Sequence, residues 1–238
     1  MCTVTWLHES GGYQLFCNRD ERFSRKSALA PVVSRRDGVL FTAPLDGEFN
    51  GTWLATNEYG ITVCLLNGVG VPSPGARSRG LLVLELLPSQ SREEVARRLH
   101  AADRSGLAPF AVAVLAPDEP ALVAGWDGSS YSENWSADST IPLTSSSYDT
   151  DAVIAARHGE FRRRLNRSSR IDTALLASFH VSHSPEPSAY SACMHREDAA
   201  TVSFTRVSVR PEEVEMVYHP EAPCRRAVAK TSQLARVR

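Results

Sequence analysis

Met1-Cys2-Thr3-Val4-Thr5-Trp6-Leu7 opens the chain, and Phe16-Cys17-Asn18-Arg19-Asp20-Glu21-Arg22 answers it across the turn pair Gly11-Gly12. Residues 2–7 alternate polar and apolar, the period of a half-buried strand. Tyr13–Cys17 has the same character, so a hairpin through the two glycines returns Asn18–Glu21 to the chain start. Cys2 has two readings. Cysteine is an ordinary buried strand residue, which would account for it fully. Alternatively, Met1 before a small residue is removed by methionine aminopeptidase, leaving a thiol and a free α-amine on one amino acid. That amine has a reference pKa of about 7.7–8.0, so it can accept the thiol proton near neutral pH, and nucleophile and base come from a single residue.

The tetrapeptide Asn18-Arg19-Asp20-Glu21 resembles the signature of the NRDE family, which includes the transport and Golgi organisation 2 group. The resemblance extends to Gly51-Thr52-Trp53-Leu54, Leu66-Asn67-Gly68 and Ala76-Arg77-Ser78-Arg79-Gly80-Leu81, over roughly residues 1–85. That family in turn is similar to the N-terminal nucleophile hydrolases whose first residue is Cys, such as bile salt hydrolase and penicillin V acylase. What this implies is an α+β fold, a four-layer αββα sandwich of two antiparallel sheets. It also implies C–N bond cleavage or acyl transfer through a thioester on Cys2. Asp20 would hold the α-amine and Arg19 would orient Cys2 or the substrate, although the order Asn-Arg-Asp leaves those two roles exchangeable. Asn67 matches by context the Asn that donates to the oxyanion, and Asn18 is assigned with its neighbours to the substrate site. Relatives carry an Asn near Ile141–Ser147 where Ser145 stands here, and an arginine before the Thr201 strand where Ala199 or Ala200 stands. Those two departures favour a competing class, a binding or trafficking protein for an acyl thioester or haem on the same fold.

The chain has 238 residues, 42% hydrophobic and 22% charged, enough for one large domain over 1–238 with a basic tail from about 220. No apolar run approaches the length of a membrane span, and the start lacks the pattern of a signal peptide. A net charge of −1 gives no general reason for nucleic-acid binding. Five scattered cysteines without a CxxC pair argue against a disulfide framework and fit a reducing cytoplasm. The expected partner is a small-molecule substrate or ligand, with no cofactor and with room for a homo-oligomer.

Arg22–Ser27 reads as a basic solvated loop, and Asp37-Gly38 as a hairpin turn. Thr52–Thr56 and Ile61–Leu66 are strands, the second apolar on both faces and ending at Asn67-Gly68. Without the resemblance, Asn67 reads equally as a turn former. Val69–Gly75 breaks regular structure. Arg77 and Arg79, at the entrance of an apolar helix over Leu81–Leu87, suit a substrate carboxylate or phosphate as well as they suit surface ion pairs. Ser91-Arg92-Glu93-Glu94 caps a second helix to about Ala102, and a third follows near 150–166. His180, His183, Cys193 and His195 lack the spacing of a metal motif and read as polar loop residues, so no metal is expected. Strands are expected at Ala192–Arg196, Thr201–Val209 and Val214–His219, with a frayed or helical tail.

Overall fold

The computed structural model describes residues 2–68, 77–168, 170–225 and 227–237. The opening hairpin forms as read: β1 (Cys2–Glu9) pairs antiparallel with β2 (Gly12–Arg22), with Cys2 opposite Arg19 and Val4 opposite Cys17. Gly11 has φ +75°, in the left-handed region that glycine adopts without strain. Four strands then follow, β3 (Leu29–Arg36), β4 (Val39–Leu45), β5 (Leu54–Asn57) and β6 (Thr62–Asn67). The helices α1 (Arg79–Leu86) and α2 (Arg92–Ala101) come next, with Ser91 Oγ accepting the Glu94 N–H as the cap of α2. After β7 (Phe110–Leu115), β8 (Leu122–Trp126), β9 (Tyr131–Asn134) and the two-residue β10 (Leu143–Thr144) lie α3 (Thr150–Ser168) and α4 (Thr173–His180). The described chain closes with β11 (Ala199–Val209), β12 (Glu213–His219) and β13 (Lys230–Ala235).

The strands make two antiparallel sheets, a six-stranded one in the order β10-β1-β2-β11-β12-β13 and a seven-stranded one running β3 to β9 in sequence. Strand period two sends alternate side chains to opposite faces, and this assigns each layer. Val4, Trp6, Leu15 and Cys17 of the first sheet meet Leu54, Cys64, Leu66 and Ala113 of the second in the central core. The outer face of the second sheet packs under α1 and α2 through Leu82, Leu86, Val95 and Leu99. Phe16, on the outer face of the first, packs with Phe161, Leu176 and Phe179 of α3 and α4. The result is the expected αββα sandwich. Hydroxyl bridges pin the two sheets within the core: Tyr13 Oη donates to Thr62 Oγ1 at 2.6 Å, and Thr42 Oγ1 to Ser232 Oγ at 2.8 Å.

Two expectations change. Ala192–Arg196 makes only an isolated bridge between His195 and Ala200, because its backbone bonds are satisfied within the loop, Cys193 N–H to Ser182 O and His195 N–H to Ser188 O. The tail is not frayed or helical at 230–235: β13 pairs with β12 and buries Leu234. The helix α4, capped by Asp172 and burying Leu175, Leu176 and Phe179, is an addition to the expected elements. The expected break at Val69–Gly75 lies outside the described residues.

Candidate active site

Cys2 begins β1, Arg19 sits opposite it in β2, and Asn67 ends β6 on the facing sheet. All three therefore reach the same open end of the sandwich. There they line a cavity of about 380 Å³ together with Thr52, Trp53 and Arg79. Its wall depends on a close backbone approach. A Cβ on Gly51 would lie 2.6 Å from the Gly80 carbonyl carbon, and one on Gly80 would lie 3.0 Å from Thr52 N. The two bare glycines let Thr52 N–H donate to Gly80 O at 3.1 Å, which brings the entrance of α1 against the Gly51-Thr52-Trp53 stretch. Both sequence signatures thus meet at one wall.

The Cys2 backbone is held on both sides. Its N–H donates to Ser145 Oγ at 3.2 Å, and its carbonyl accepts from Ser145 N at 3.0 Å and Thr144 Oγ1 at 3.3 Å. Ser145, which stands where relatives carry an Asn, is bonded to the backbone of the nucleophile candidate. The thiol is buried, and its hydrogen bond with Cys17, followed by burial, pushes its pKa well above the ordinary value. For Cys17 the bond with Cys2 works in the opposite direction, but a second bond to Cys64 and burial outweigh it and also leave that thiol raised. The bond to Cys17 and burial thus disfavour the Cys2 thiolate, although Arg19 sits opposite in the hairpin. Attack by such a thiol requires a proton acceptor at hand.

Arg19 is buried, lies 4.4 Å over the Trp53 ring, and pairs with Asp46 at 3.0 Å and Glu21 at 3.3 Å. Arg25, from the loop read as solvated, also reaches Asp46 at 2.7 Å and Glu48 at 3.2 Å. Arg77 pairs with Glu85. Arg79 differs: it donates to the Pro109 carbonyl at 2.6 Å, forms no ion pair among the described residues, and has its pKa lowered by burial. Ser78 caps α1 without a side-chain hydrogen bond, and the first turn holds no acid. The helix entrance thus adds the positive end of its dipole to the Arg79 charge. Trp53 Nε1–H is buried without a partner among the described residues.

Asp20 points to the other face of β2, into the helical layer. Its carboxylate accepts from Thr201 Oγ1 at 2.6 Å and from Arg157 Nη2 at 3.1 Å. Arg157, fully buried in α3, also reaches Thr3 Oγ1, Thr144 Oγ1 at 3.1 Å and the Ala189 carbonyl at 3.2 Å. It supplies the buried cation that the sequence reading missed at Ala199/Ala200. Arg196, in the loop just before β11, pairs with Asp198 at 2.8 Å and stacks on Tyr148. Asn18 is corrected as a substrate contact: it is buried on the helical side, donating to the carbonyls of His180 and Ala192 at 2.9 and 2.8 Å. A bulge between Thr201 and Ser203 marks where β11 passes Asp20 and Arg19, a placement common beside functional sites. Elsewhere, His183, Cys193 and His195, read as polar loop residues, and Cys224, read as part of the basic tail, converge on one point.

The architecture is that of the N-terminal nucleophile hydrolases. Solved structures with this fold include the Caenorhabditis elegans ortholog of N-acylethanolamine-hydrolyzing acid amidase, at TM-score 0.61 and 13% identity, covering 87% of this chain and 92% of that one. A mutant of conjugated bile acid hydrolase from Clostridium perfringens matches at TM-score 0.57 and 11% identity over 98% and 92%. Penicillin V acylase from Agrobacterium tumefaciens matches at 0.55 and 10% over 92% and 83%. The sequence model of the Transport and Golgi organisation 2 family matches residues 1–218, and the chain belongs to that family. No curated protein matches the sequence significantly. Among the described residues, no helix is long and apolar enough to cross a membrane.

Proposed function

We propose that the protein is an N-terminal-cysteine hydrolase or acyltransferase that acts on a non-peptide amide or an acyl thioester. The observation that carries this reading is the position of Cys2, the first residue of β1, in the wall of a cavity that also presents Asn67, Arg19 and Arg79. With Met1 removed, the α-amine of Cys2 lies at the Ser145 hydroxyl that now accepts the Cys2 N–H. Ser145 is thus the residue that orients the base, with the Asp20–Arg157 pair fixing the strand behind it.

Sγ attacks the acyl carbonyl carbon while the thiol proton passes to the α-amine. The oxyanion accepts from the Asn67 side-chain amide and a backbone N–H. Collapse expels the leaving amine or thiol, which takes the proton back from the ammonium. Water, or another acceptor, then attacks the Cys2 thioester with the amine again as base, releasing the acyl group and restoring the thiol. Arg79, unpaired among the described residues at the α1 entrance, favours donors with a carboxylate or phosphate remote from the acyl carbon. Trp53 Nε1–H, unpartnered among the described residues, offers a further donor.

The test is turnover of a panel of N-acyl and S-acyl compounds, each with an anionic or a neutral tail, by protein shown by mass to begin at Cys2. Turnover of the anionic members that is abolished in Cys2→Ala is expected. Stoichiometric binding of those ligands with turnover no faster than Cys2→Ala would instead support the ligand-binding class on this fold.

A further inference from the structure

Away from the Cys2 cavity, four side chains from three places in the chain meet. His183 follows α4, Cys193 and His195 lie in the loop before β11, and Cys224 lies between β12 and β13. We propose that His183, Cys193, His195 and Cys224 bind a Zn²⁺ ion in a closed tetrahedral site that fastens the β12–β13 loop to the loop supporting Asp20.

The distances fit that ion. From His195 Nε2, the separations are 3.6 Å to Cys193 Sγ, 3.5 Å to Cys224 Sγ and 3.2 Å to His183 Nε2. The one ligand atom each residue offers lies within 4.8 Å of all the others. A tetrahedral zinc ion with Zn–N of about 2.05 Å and Zn–S of about 2.3 Å has edges of about 3.5 Å between N and S and about 3.3 Å between two nitrogens. The three edges that meet at His195 already have those lengths. Two thiolates and two imidazoles are the donor set zinc favours, and four protein ligands leave no open position for water, which marks a structural rather than a catalytic site. Both cysteines are free thiols, so no disulfide competes for their sulfurs.

The frame around the point is built independently of any ion. Cys193 N–H donates to Ser182 O, Ser191 Oγ to Cys193 O at 2.7 Å, and His195 N–H to Ser188 O. Cys193 is buried and Cys224 exposed, so the ion would enter from the Cys224 side and draw that loop inward. Binding replaces two S–H protons: Zn²⁺ plus two thiols gives the dithiolate complex and two H⁺, with no change of oxidation state. The site also acts on Asp20 through the backbone. Met194, between two of the ligands, donates its N–H to Thr201 Oγ1 at 2.8 Å, and Thr201 Oγ1 donates to Asp20. None of the four ligands lines the Cys2 cavity, and the proposal stands whether or not Cys2 is catalytic.

The test is metal content by inductively coupled plasma mass spectrometry of the full chain, expressed in zinc-replete medium and purified with a non-thiol reductant. Cys224→Ser, His183→Gln and the wild type are compared, together with Co²⁺ substitution of the zinc-free protein. One zinc per chain is expected for the wild type, with an affinity about tenfold or more weaker in each variant. The cobalt form should show a thiolate-to-cobalt charge-transfer band and the intense visible bands of tetrahedral cobalt, both reduced in Cys224→Ser. Cys224 is exposed, so its Ser variant tests the ligand without disturbing the core. Trace zinc in the wild type with no tetrahedral cobalt spectrum would overturn the proposal. So would one equivalent of zinc retained with unchanged affinity in both variants, or a Cys193–Cys224 disulfide in reduced preparations.

Discussion

Replacing Arg157 by Met tests what holds the nucleophile end of the first sheet. The guanidinium is fully buried and reaches β1 through Thr3, β2 through Asp20, β10 through Thr144, and the loop carbonyl of Ala189. Met fills most of the same volume, so the change removes charge and hydrogen bonds more than packing. The Asp20 carboxylate, with no exposed surface, then loses its buried cation 3.1 Å away. Breaking one side of a buried pair costs about 3–5 kcal/mol, because the remaining charge loses its cation in a low-dielectric site. This exceeds the sum expected for an exposed ion pair, which is about 0–1 kcal/mol. The assay is urea unfolding at pH 7 of wild type, Arg157→Met, Asp20→Asn and the double variant. The double variant should be more stable than the two single losses added together, with a coupling of about 1–3 kcal/mol, since the residues are in contact. A loss below about 1 kcal/mol for Arg157→Met, with additive single changes, would refute the buried pair as the clamp on β1 and β2.

Other outcomes follow from the same geometry. His180 is buried with Nε2 at 2.9 Å from Thr5 Oγ1, and burial lowers its pKa from 6.5 to about 3. The unfolded chain therefore takes up this proton first as pH falls, so its contribution is intact above about 6.5 and is lost at about 1.4 kcal/mol per pH unit down to about 3. Urea midpoints from pH 7 to pH 5 should fall accordingly in wild type and less in His180→Gln; equal slopes would contradict it. Gly80→Ala puts a methyl 3.0 Å from Thr52 N and O, so the wall should shift, costing about 1–3 kcal/mol and weakening ligand binding at Arg79; unchanged thermal unfolding and affinity would count against the close approach. Asn67→Ala should lower kcat by about 10²–10³ with the midpoint of unfolding little changed, since Asn67 is partly exposed at a strand end; a change confined to KM would remove it from the oxyanion site.

Local pattern made much of this fold legible. The opening hairpin, the apolar β6 ending at Asn67 and the capped α2 each follow from period or turn chemistry within one short window. The four layers followed from resemblance more than from pattern. What could not be read was long-range. Arg157 lies on α3 amid other arginines, and nothing in a helix sequence says which cation turns inward to Asp20 137 residues away. Asn18 and Arg19 are adjacent, yet strand alternation sends one to the helices and the other to the cavity, so a tetrapeptide taken as one unit mixes two faces. Ser145 meets the Cys2 backbone because β10 pairs with the first residues of β1, a contact over 143 positions that no local pattern announces. The His183–Cys224 cluster draws on positions 41 residues apart in sequence order, beyond any spacing motif.

Intact and peptide mass spectrometry of the protein after brief exposure to an activated acyl donor, such as an anionic acyl thioester quenched in acid, tests the catalytic reading most directly. The account predicts a chain that begins at Cys2 and carries one acyl group on that residue's thiol, with none in Cys2→Ala. Met1 retained in folded protein, or acylation found on Cys224 while Cys2 stays unmodified, would contradict it.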